Sequence, residues 1–213
     1  MEFRMSHRTG LLLDFGGVLT TALLPVVLAF EQREGLARGA CINALYQDDE
    51  GVRMTSDLER GAVSQTAWNE FAGRKLGVSP DNLMGRIFGG LRPEPLLIDA
   101  AAAAKRAGIK VGILSNSVGL APWDLYDGYE LDRLYDAVVI SEHYQMRKPD
   151  PALFEIALKL MNMPADEVVF VDDTEAYVLA AQQLGFAGVH NKDPRQTVAD
   201  LSGLLGVDLT SAS

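Results

Sequence analysis

The chain has 213 residues and a hydrophobic fraction of 48%, enough for one ordinary domain with an insertion or for two small domains. Its formal net charge of −10 and pI of about 4.7 disfavour nucleic acid and anionic lipid as partners, and its lysines and arginines form no local basic patch. The single cysteine, Cys41, excludes an intrachain disulfide and is expected to be a small buried residue.

The N-terminal stretch "MEFRMSHRTG" is charged and is not followed by the apolar core of a signal peptide. The first long apolar run, "ALLPVVLAF", is too short to span a bilayer and contains Pro25. These features predict a soluble, cytoplasmic chain without a membrane partner. At the other end, the tail "TSAS" (210–213) is expected to fray.

Five short apolar runs are typical of buried parallel strands; they lie at 10–15, 109–115, 136–141, 167–172 and 186–190. Helical patterns alternate with the later runs, at 94–108, 150–162 and 175–185. In the second of these, Asp150 can cap the helix, and one face is formed by Leu153, Ile156, Ala157 and Leu160. The alternation predicts an α/β fold with a doubly wound, Rossmann-like parallel sheet.

The segment 22–91 departs from this alternation, because it contains no convincing strand. Its stretch 63–77 is amphipathic and brings Ala67, Trp68, Phe71 and Ala72 together on one face. We therefore expect an all-helical domain of three or four helices at 22–91, inserted after the first strand into an α/β core made of 1–21 and 92–213.

Polar side chains follow the predicted strands at the ends where ligands bind in open α/β sheets. They are Asp14 after the first strand, Ser115 and Asn116 after the second, Lys148 after the third, and Asp172 and Asp173 after the fourth. Each alone is more often a helix cap, a turn residue or a solvated lysine. Together they offer carboxylate ligands for Mg²⁺, a carboxylate nucleophile, and a lysine and a hydroxyl that can bind phosphate.

Four motifs carry a resemblance to a known family: "LLLDFGGVLT", "VGILSNS", "MRKPDPALFEIAL" and "VVFVDDTEAYVLAAQQLG". With them, the sequence resembles the haloacid dehalogenase-like hydrolase superfamily over nearly the whole chain. The "DFGGVL" and "MRKPD" forms resemble bacterial sugar-phosphate phosphatases and the N-terminal phosphatase domain of soluble epoxide hydrolases. The resemblance implies that 22–91 is a helical cap domain.

The resemblance also implies residue roles. Asp14 would be the nucleophile and a metal ligand, with the backbone carbonyl of Gly16 as a second ligand. Asp173 would bind the metal directly. Asp172 would lie one layer further from the metal, or would reach it through a water molecule. The phosphoryl group would be held by Phe15, Gly16, Ser115, Asn116 and Lys148. The implied cofactor is Mg²⁺, and the implied partner is a small phosphorylated metabolite.

Two positions depart from the family pattern. Gly16 replaces the acid that usually protonates the leaving oxygen, and Tyr177 replaces a small polar residue near the metal. The first departure predicts a phosphatase with a weakened general acid. Such an enzyme prefers leaving groups that are stable as anions, such as acyl phosphates and sugar 1-phosphates, unless water or a cap residue supplies the proton. His143 and Tyr144 are the first alternative donors to consider.

Two alternatives to a phosphatase remain open. One is a non-catalytic or regulatory binding protein that kept the fold. The other is a metal-independent dehalogenase, which is disfavoured by the Asp172–Asp173 pair and by Gly16, where such enzymes usually carry an aromatic residue. Substrate specificity would come from the helical insertion, in which the candidate contacts are Arg53, Trp68, Phe71 and Arg74. A helical stripe that contains Trp68 and Phe71, however, more often forms the core of such an insertion than a substrate contact.

Overall fold

A parallel five-stranded sheet forms the centre of the computed structural model, which describes residues 7–210. Its strands are β1 (Gly10–Leu13), β2 (Lys110–Ser115), β3 (Ala137–Ile140), β4 (Val168–Asp172) and β5 (Ala187–His190). Their order in the sheet is β3-β2-β1-β4-β5. All five predicted strands are confirmed, each within two residues at either end. The tail beyond Thr210, which we expected to fray, lies outside the described residues.

Helices connect the strands. Between β1 and β2 lie α1 (Leu23–Arg33), α2 (Ala40–Ile42), a π-helical turn (Asn43–Gln47), α3 (Asp49–Glu59), α4 (Gln65–Leu76), α5 (Leu83–Phe88) and α6 (Pro95–Arg106). After β2 come α7 (Leu131–Leu134), α8 (Pro151–Met161), α9 (Glu175–Gln183) and α10 (Pro194–Leu205), with 3₁₀ turns at Ser141–Tyr144 and Ala165–Glu167. None of the described helices is long and apolar enough to cross a bilayer.

The sheet is covered on both faces, as β1 illustrates. Leu11 and Leu13 pack into a cluster that contains side chains of α6 and α10, whereas Leu12 packs into a second cluster with α8 and α9. Successive side chains of a strand point to opposite faces, so the uninterrupted apolar sequence of β1 fits burial on both sides. The predicted doubly wound α/β fold is confirmed.

Helix α8 begins as expected, because the Asp150 carboxylate accepts a hydrogen bond from the N–H of Ala152 at 3.0 Å. The expected buried face is partly wrong, since Leu160 is 50% exposed and Met161 is buried instead. The buried stripe is rotated toward Phe154, whose ring packs against Phe170 of β4 with a centroid distance of 5.3 Å. Contact with the sheet, rather than the strongest apolar periodicity, sets the orientation of this helix.

The helical segment between β1 and α6 has a hydrophobic core of its own. Trp68 is 1% exposed, and its indole N–H donates to the hydroxyl of Thr55 at 3.2 Å. Around it pack Val27, Phe30, Cys41, Leu45, Leu58, Phe71, Ala72, Leu83, Met84, Ile87 and Phe88. Cys41 is therefore a buried core residue, as expected. The described structure has four helices of six or more residues in this segment, together with the short α2 and the π-helical turn.

One buried side chain attaches this helical segment to the sheet. Gln65, at the start of α4, donates from Nε2 to the backbone carbonyls of Val118, Gly119 and Trp123 at 2.8–2.9 Å. Its Oε1 accepts from the N–H of Trp123 at 3.0 Å. Gln65 thereby fixes α4 to the loop that follows β2. The helices of this segment cover the carboxyl ends of the strands, and a cavity lies between the two.

Candidate active site

Three carboxylates meet at the centre of the sheet edge. Asp14 follows β1, and Asp172 and Asp173 stand at the end of β4. The two strands are neighbours and in register, and the N–H of Asp14 donates to the carbonyl of Val171 at 2.9 Å. Ligand oxygens of the three acids lie within 4.8 Å of one another. The sheet order changes direction beside β1, so the acids occupy the position where open α/β sheets bind ligands.

A buried lysine lies between two of these acids. Nζ of Lys148 is 2.8 Å from Oδ1 of Asp14 and 2.6 Å from Oδ2 of Asp172. Burial and the Asp172 carboxylate raise the pKa of Asp14 to about 8, although Lys148 lowers it. Burial disfavours the charged form of Lys148, but Asp14 and Asp172 outweigh it and raise its pKa. If all three acids are ionised, the single ammonium of Lys148 leaves two negative charges, which a bound divalent cation would balance.

The turn after β1 depends on Gly17 more than on Gly16. Gly17 has a φ of +74°, and a Cβ there would overlap the carboxylate of Asp173. Its carbonyl accepts a hydrogen bond from Nδ2 of Asn191 at 2.8 Å. Among the described residues, a Cβ on Gly16 would, in contrast, meet only the side chain of Leu23, at 3.4 Å. The backbone therefore leaves room for a side chain at position 16, where the family usually has an acid.

The remaining predicted site residues surround the acids. The Ser115 hydroxyl accepts a hydrogen bond from Oη of Tyr126 at 2.9 Å. Oδ1 of Asn116 accepts from the backbone N–H of Lys148 at 2.8 Å, which fixes the segment that carries this lysine. The N–H of Phe15 donates to Oδ1 of Asp14 at 2.7 Å. In this structure that N–H is directed at a carboxylate, so its expected phosphate contact stays a prediction.

A cavity of about 290 Å³ opens above this cluster, between the sheet and the helical segment. Of the predicted site residues, it is lined by Asp14, Gly16, Ser115, Asn116, Lys148 and Asp173. Asp172 is fully buried behind it, where its oxygens accept hydrogen bonds from Lys148 and from the N–H of Thr174. The volume of the cavity is close to the lower end of the range for small-molecule sites, about 300 Å³.

Glu59, at the end of α3, is a cavity residue that the sequence did not indicate. It forms an ion pair with Arg147, which also donates to the hydroxyls of Tyr177 at 2.9 Å and of Ser56 at 3.2 Å. Burial raises the pKa of Glu59, while Arg147 and Lys148 oppose that effect. Nothing in the periodicity of α3 distinguishes Glu59 from its other acids, because its position depends on how the helical segment packs on the sheet.

Several other candidate residues do not line the cavity. His143 is exposed, and Tyr144 packs into the hydrophobic cluster beside α8, so neither lines the cavity. Of the candidate specificity residues, Trp68 and Phe71 belong to the core of the helical segment, the commoner role of such a stripe, and Arg53 and Arg74 are exposed and do not line the cavity. An amphipathic stripe identifies the buried face of a helix, and here that face packs against other helices.

Tyr177, the second departure from the family pattern, lies beside the buried lysine. Nζ of Lys148 is 5.2 Å from the centroid of its ring, and its hydroxyl is the acceptor for Arg147. Asn116 also reaches this hydroxyl, at 3.4 Å from Nδ2. The aromatic side chain thus stabilises the charged residues of the "MRKPD" motif.

Known proteins with similar sequences include two phosphatases and a dehalogenase. The chain is 30% identical over 198 residues to a sesquiterpene phosphatase from Aspergillus oryzae, covering 91% of this chain and 94% of that protein. It is 29% identical over 100 residues to a glyceraldehyde 3-phosphate phosphatase from Methanocaldococcus jannaschii (46% of this chain, 44% of that one). It is 30% identical over 96 residues to an (S)-2-haloacid dehalogenase from Pseudomonas fluorescens (45% and 42%).

Solved structures share the fold. A HAD-like family hydrolase from Porphyromonas gingivalis superposes with a TM-score of 0.71 at 23% identity, covering 94% of this chain and 98% of that one. A HAD family enzyme from Bacteroides thetaiotaomicron, in a magnesium complex, gives 0.65 at 19% identity, with coverage of 88% and 94%. The sequence pattern of the haloacid dehalogenase-like hydrolases matches residues 9–185. The chain therefore belongs to the haloacid dehalogenase-like hydrolase family.

Proposed function

We propose that this chain is a Mg²⁺-dependent phosphatase that hydrolyses a small phosphorylated metabolite through an aspartyl-phosphate on Asp14, and that 22–91 is its cap domain. The observation that carries the proposal is the meeting of three carboxyl groups, those of Asp14, Asp172 and Asp173, beside one lysine at the floor of a cavity. The phosphatase relatives support the reaction class, since one of them matches nearly the whole chain.

The donor set fits a magnesium ion. Asp14 and Asp173 line the cavity and, with the carbonyl of Gly16, would supply hard oxygen ligands, while Asp172 supports them from behind. When bound, the ion would reduce the repulsion between the phosphate and the acids. The cavity-facing position of Asp173 favours it over Asp172 as the direct ligand, as the family resemblance implies.

Asp14 is suited to attack phosphorus. Its Oδ1 takes the hydrogen bond from Phe15 and the ion pair with Lys148, whereas Oδ2 accepts no hydrogen bond from the described residues. In the first step an Asp14 oxygen forms a bond to phosphorus and the ester P–O bond breaks, so the leaving alcohol oxygen must gain a proton. In the second step water attacks the same phosphorus, which releases phosphate and restores the Asp14 carboxylate.

Gly16 cannot supply that proton, and we assign this role to Glu59. Its carboxyl group reaches the cavity from the helical segment, and burial raises its pKa, which favours the protonated form that a proton donor needs. Protonated Glu59 would hand its proton to the leaving oxygen. The resulting carboxylate would then take a proton from the attacking water.

The test is a phosphatase assay on purified protein with phenyl phosphate and a panel of phosphorylated metabolites, with and without Mg²⁺. Wild type should release phosphate only with the metal. Asp14→Asn should lose activity by more than about 10³-fold while keeping its circular dichroism spectrum. Turnover that persists in Asp14→Asn would exclude Asp14 as the nucleophile. Metal-independent halide release from 2-chloro acids would instead identify a dehalogenase, and ligand binding without any turnover a binding protein.

A further inference from the structure

We infer that the substrate is the phosphate monoester of an apolar alcohol, an inference that rests on the proposed phosphatase function. The cavity has two unlike sides. Its floor holds the acids and Lys148, where the phosphoryl group would bind. The opposite wall, contributed by the helical segment, would contact the alcohol part of the substrate, and its side chains therefore decide which alcohols fit.

That wall is mainly hydrocarbon. From the helical segment it is formed by Leu23, Leu24, Val27, Ile42, Tyr46 and Phe88, and the loop after β2 adds Val118 and Leu125. Among the described residues that this segment contributes to the cavity, only Tyr46 and Glu59 carry polar side-chain groups. Glu59 is already paired with Arg147. The wall thus offers neither a free cation for a second anionic group nor a set of donors and acceptors for several hydroxyls.

A sugar phosphate suits this wall poorly. Each sugar hydroxyl that entered the cavity would lose hydrogen bonds to water, and the leucine, valine and phenylalanine side chains cannot replace them. Such a loss weakens binding by about tenfold or more for each hydroxyl that stays unpaired. An alkyl or isoprenoid chain incurs no such cost, because its transfer from water onto hydrocarbon is favourable.

Two exposed side chains extend the wall toward solvent. Leu24 is 51% and Tyr46 50% exposed, and both line the cavity that contains Asp14. Exposed apolar residues are common on protein surfaces and need no ligand. An apolar chain attached to a phosphate on the cavity floor would, however, cover these two side chains. They mark the path along which a longer chain would leave the cavity.

The experiment compares straight-chain alkyl phosphates of two, four, six and eight carbons with glucose 6-phosphate. Calorimetry on Asp14→Asn with Mg²⁺ measures their affinity directly, and kcat/KM on wild type measures turnover. Affinity should rise by up to about fourfold for each added methylene until the cavity is filled. Glucose 6-phosphate should bind more weakly than hexyl phosphate. Affinity that is independent of chain length, or stronger for the sugar phosphate, would overturn the inference.

Matched variants locate the contact. Leu24→Gln should flatten the dependence on chain length, whereas Leu160→Gln should retain it, because Leu160 is equally exposed on α8 but lies outside the cavity. An identical dependence in the two variants would show that the chain does not follow the proposed path. The calorimetry also separates this inference from the proposed function, because chain-length-dependent binding without turnover of any phosphate would leave the binding preference standing and refute the phosphatase.

Discussion

A Cβ atom on Gly17 would overlap the carboxylate of Asp173 and lie 2.8 Å from its Cγ. The chain turns at Gly17 with a φ of +74°, which L side chains rarely adopt. The space that a side chain would need is therefore taken by a residue from the end of another strand, more than 150 positions away. This close approach explains why the second glycine of the "DFGG" sequence is a glycine. It does not explain the first, Gly16.

The two glycines should therefore respond differently to substitution. Gly17→Ala should destabilise the protein by about 1–3 kcal/mol, because of the strained backbone, and should displace Asp173 and weaken metal binding. Gly16→Ala, whose Cβ meets only Leu23, is the matched control and should stay close to wild-type stability. Urea denaturation measures the difference. Equal destabilisation by the two changes would contradict the assigned geometry.

Removing the cavity-facing acid should abolish tight metal binding. Asp173→Asn takes away a charged ligand oxygen and should weaken Mg²⁺ affinity at least tenfold in calorimetry. The matched control is Asp166→Asn, in the exposed 3₁₀ turn before β4. If Asp173→Asn bound Mg²⁺ as tightly as this control, the proposed ligand set would be wrong.

The role of Glu59 should be visible in the dependence of activity on pH. A proton donor must be protonated, so kcat/KM for alkyl phosphates should fall as pH rises through the raised pKa of Glu59. The charged and titratable groups around it are Arg60, Arg147, Lys148, Tyr46 and Tyr177. In Glu59→Gln this alkaline decline should disappear, and the rate on alkyl phosphates should drop by about 10²–10⁴-fold.

The leaving group provides the control for this variant. p-Nitrophenolate departs readily without a proton, so Glu59→Gln should keep a kcat/KM for p-nitrophenyl phosphate close to that of wild type, because kcat/KM reports the first step and not the later attack of water. Glu155→Gln, at an exposed position of α8, should change neither rate. A uniform loss on both kinds of substrate would indicate a structural role for the Glu59–Arg147 pair, and an unchanged alkyl phosphate rate would exclude Glu59 as the donor.

An acid restored at position 16 should compensate for the loss of Glu59. Because a Cβ at Gly16 meets only Leu23, Gly16→Asp should be accommodated in the turn. Combined with Glu59→Gln, it should recover at least tenfold in the rate on alkyl phosphates. Gly16→Asn has the same shape but cannot donate a carboxyl proton, so it should give no recovery. Equal effects of the two substitutions would show that the gain is not due to proton transfer.

Much of this protein could be predicted from the sequence because the relevant signals are local. The apolar run of β1 ends at Asp14, that of β2 at Ser115 and that of β4 at Asp172, and parallel strands place such ends at one edge of a sheet. Strand alternation and the helix-capping Asp150 likewise depend on neighbouring residues. These signals determined the fold class, the acidic cluster and the family.

Only the tertiary structure decided which groups face one another. Lys148 was expected to bind phosphate, and the structure places it between two carboxylates contributed by two other strands. Glu59 reaches the cavity because α3 packs against the α/β core, where its carbonyl accepts a hydrogen bond from the Ser141 hydroxyl and its carboxylate pairs with Arg147. Leu160 was misplaced for the same reason, since periodicity identifies an apolar face but not the element that covers it. Contacts between residues distant in sequence depend on how whole elements pack, and no local pattern of this chain encodes that packing.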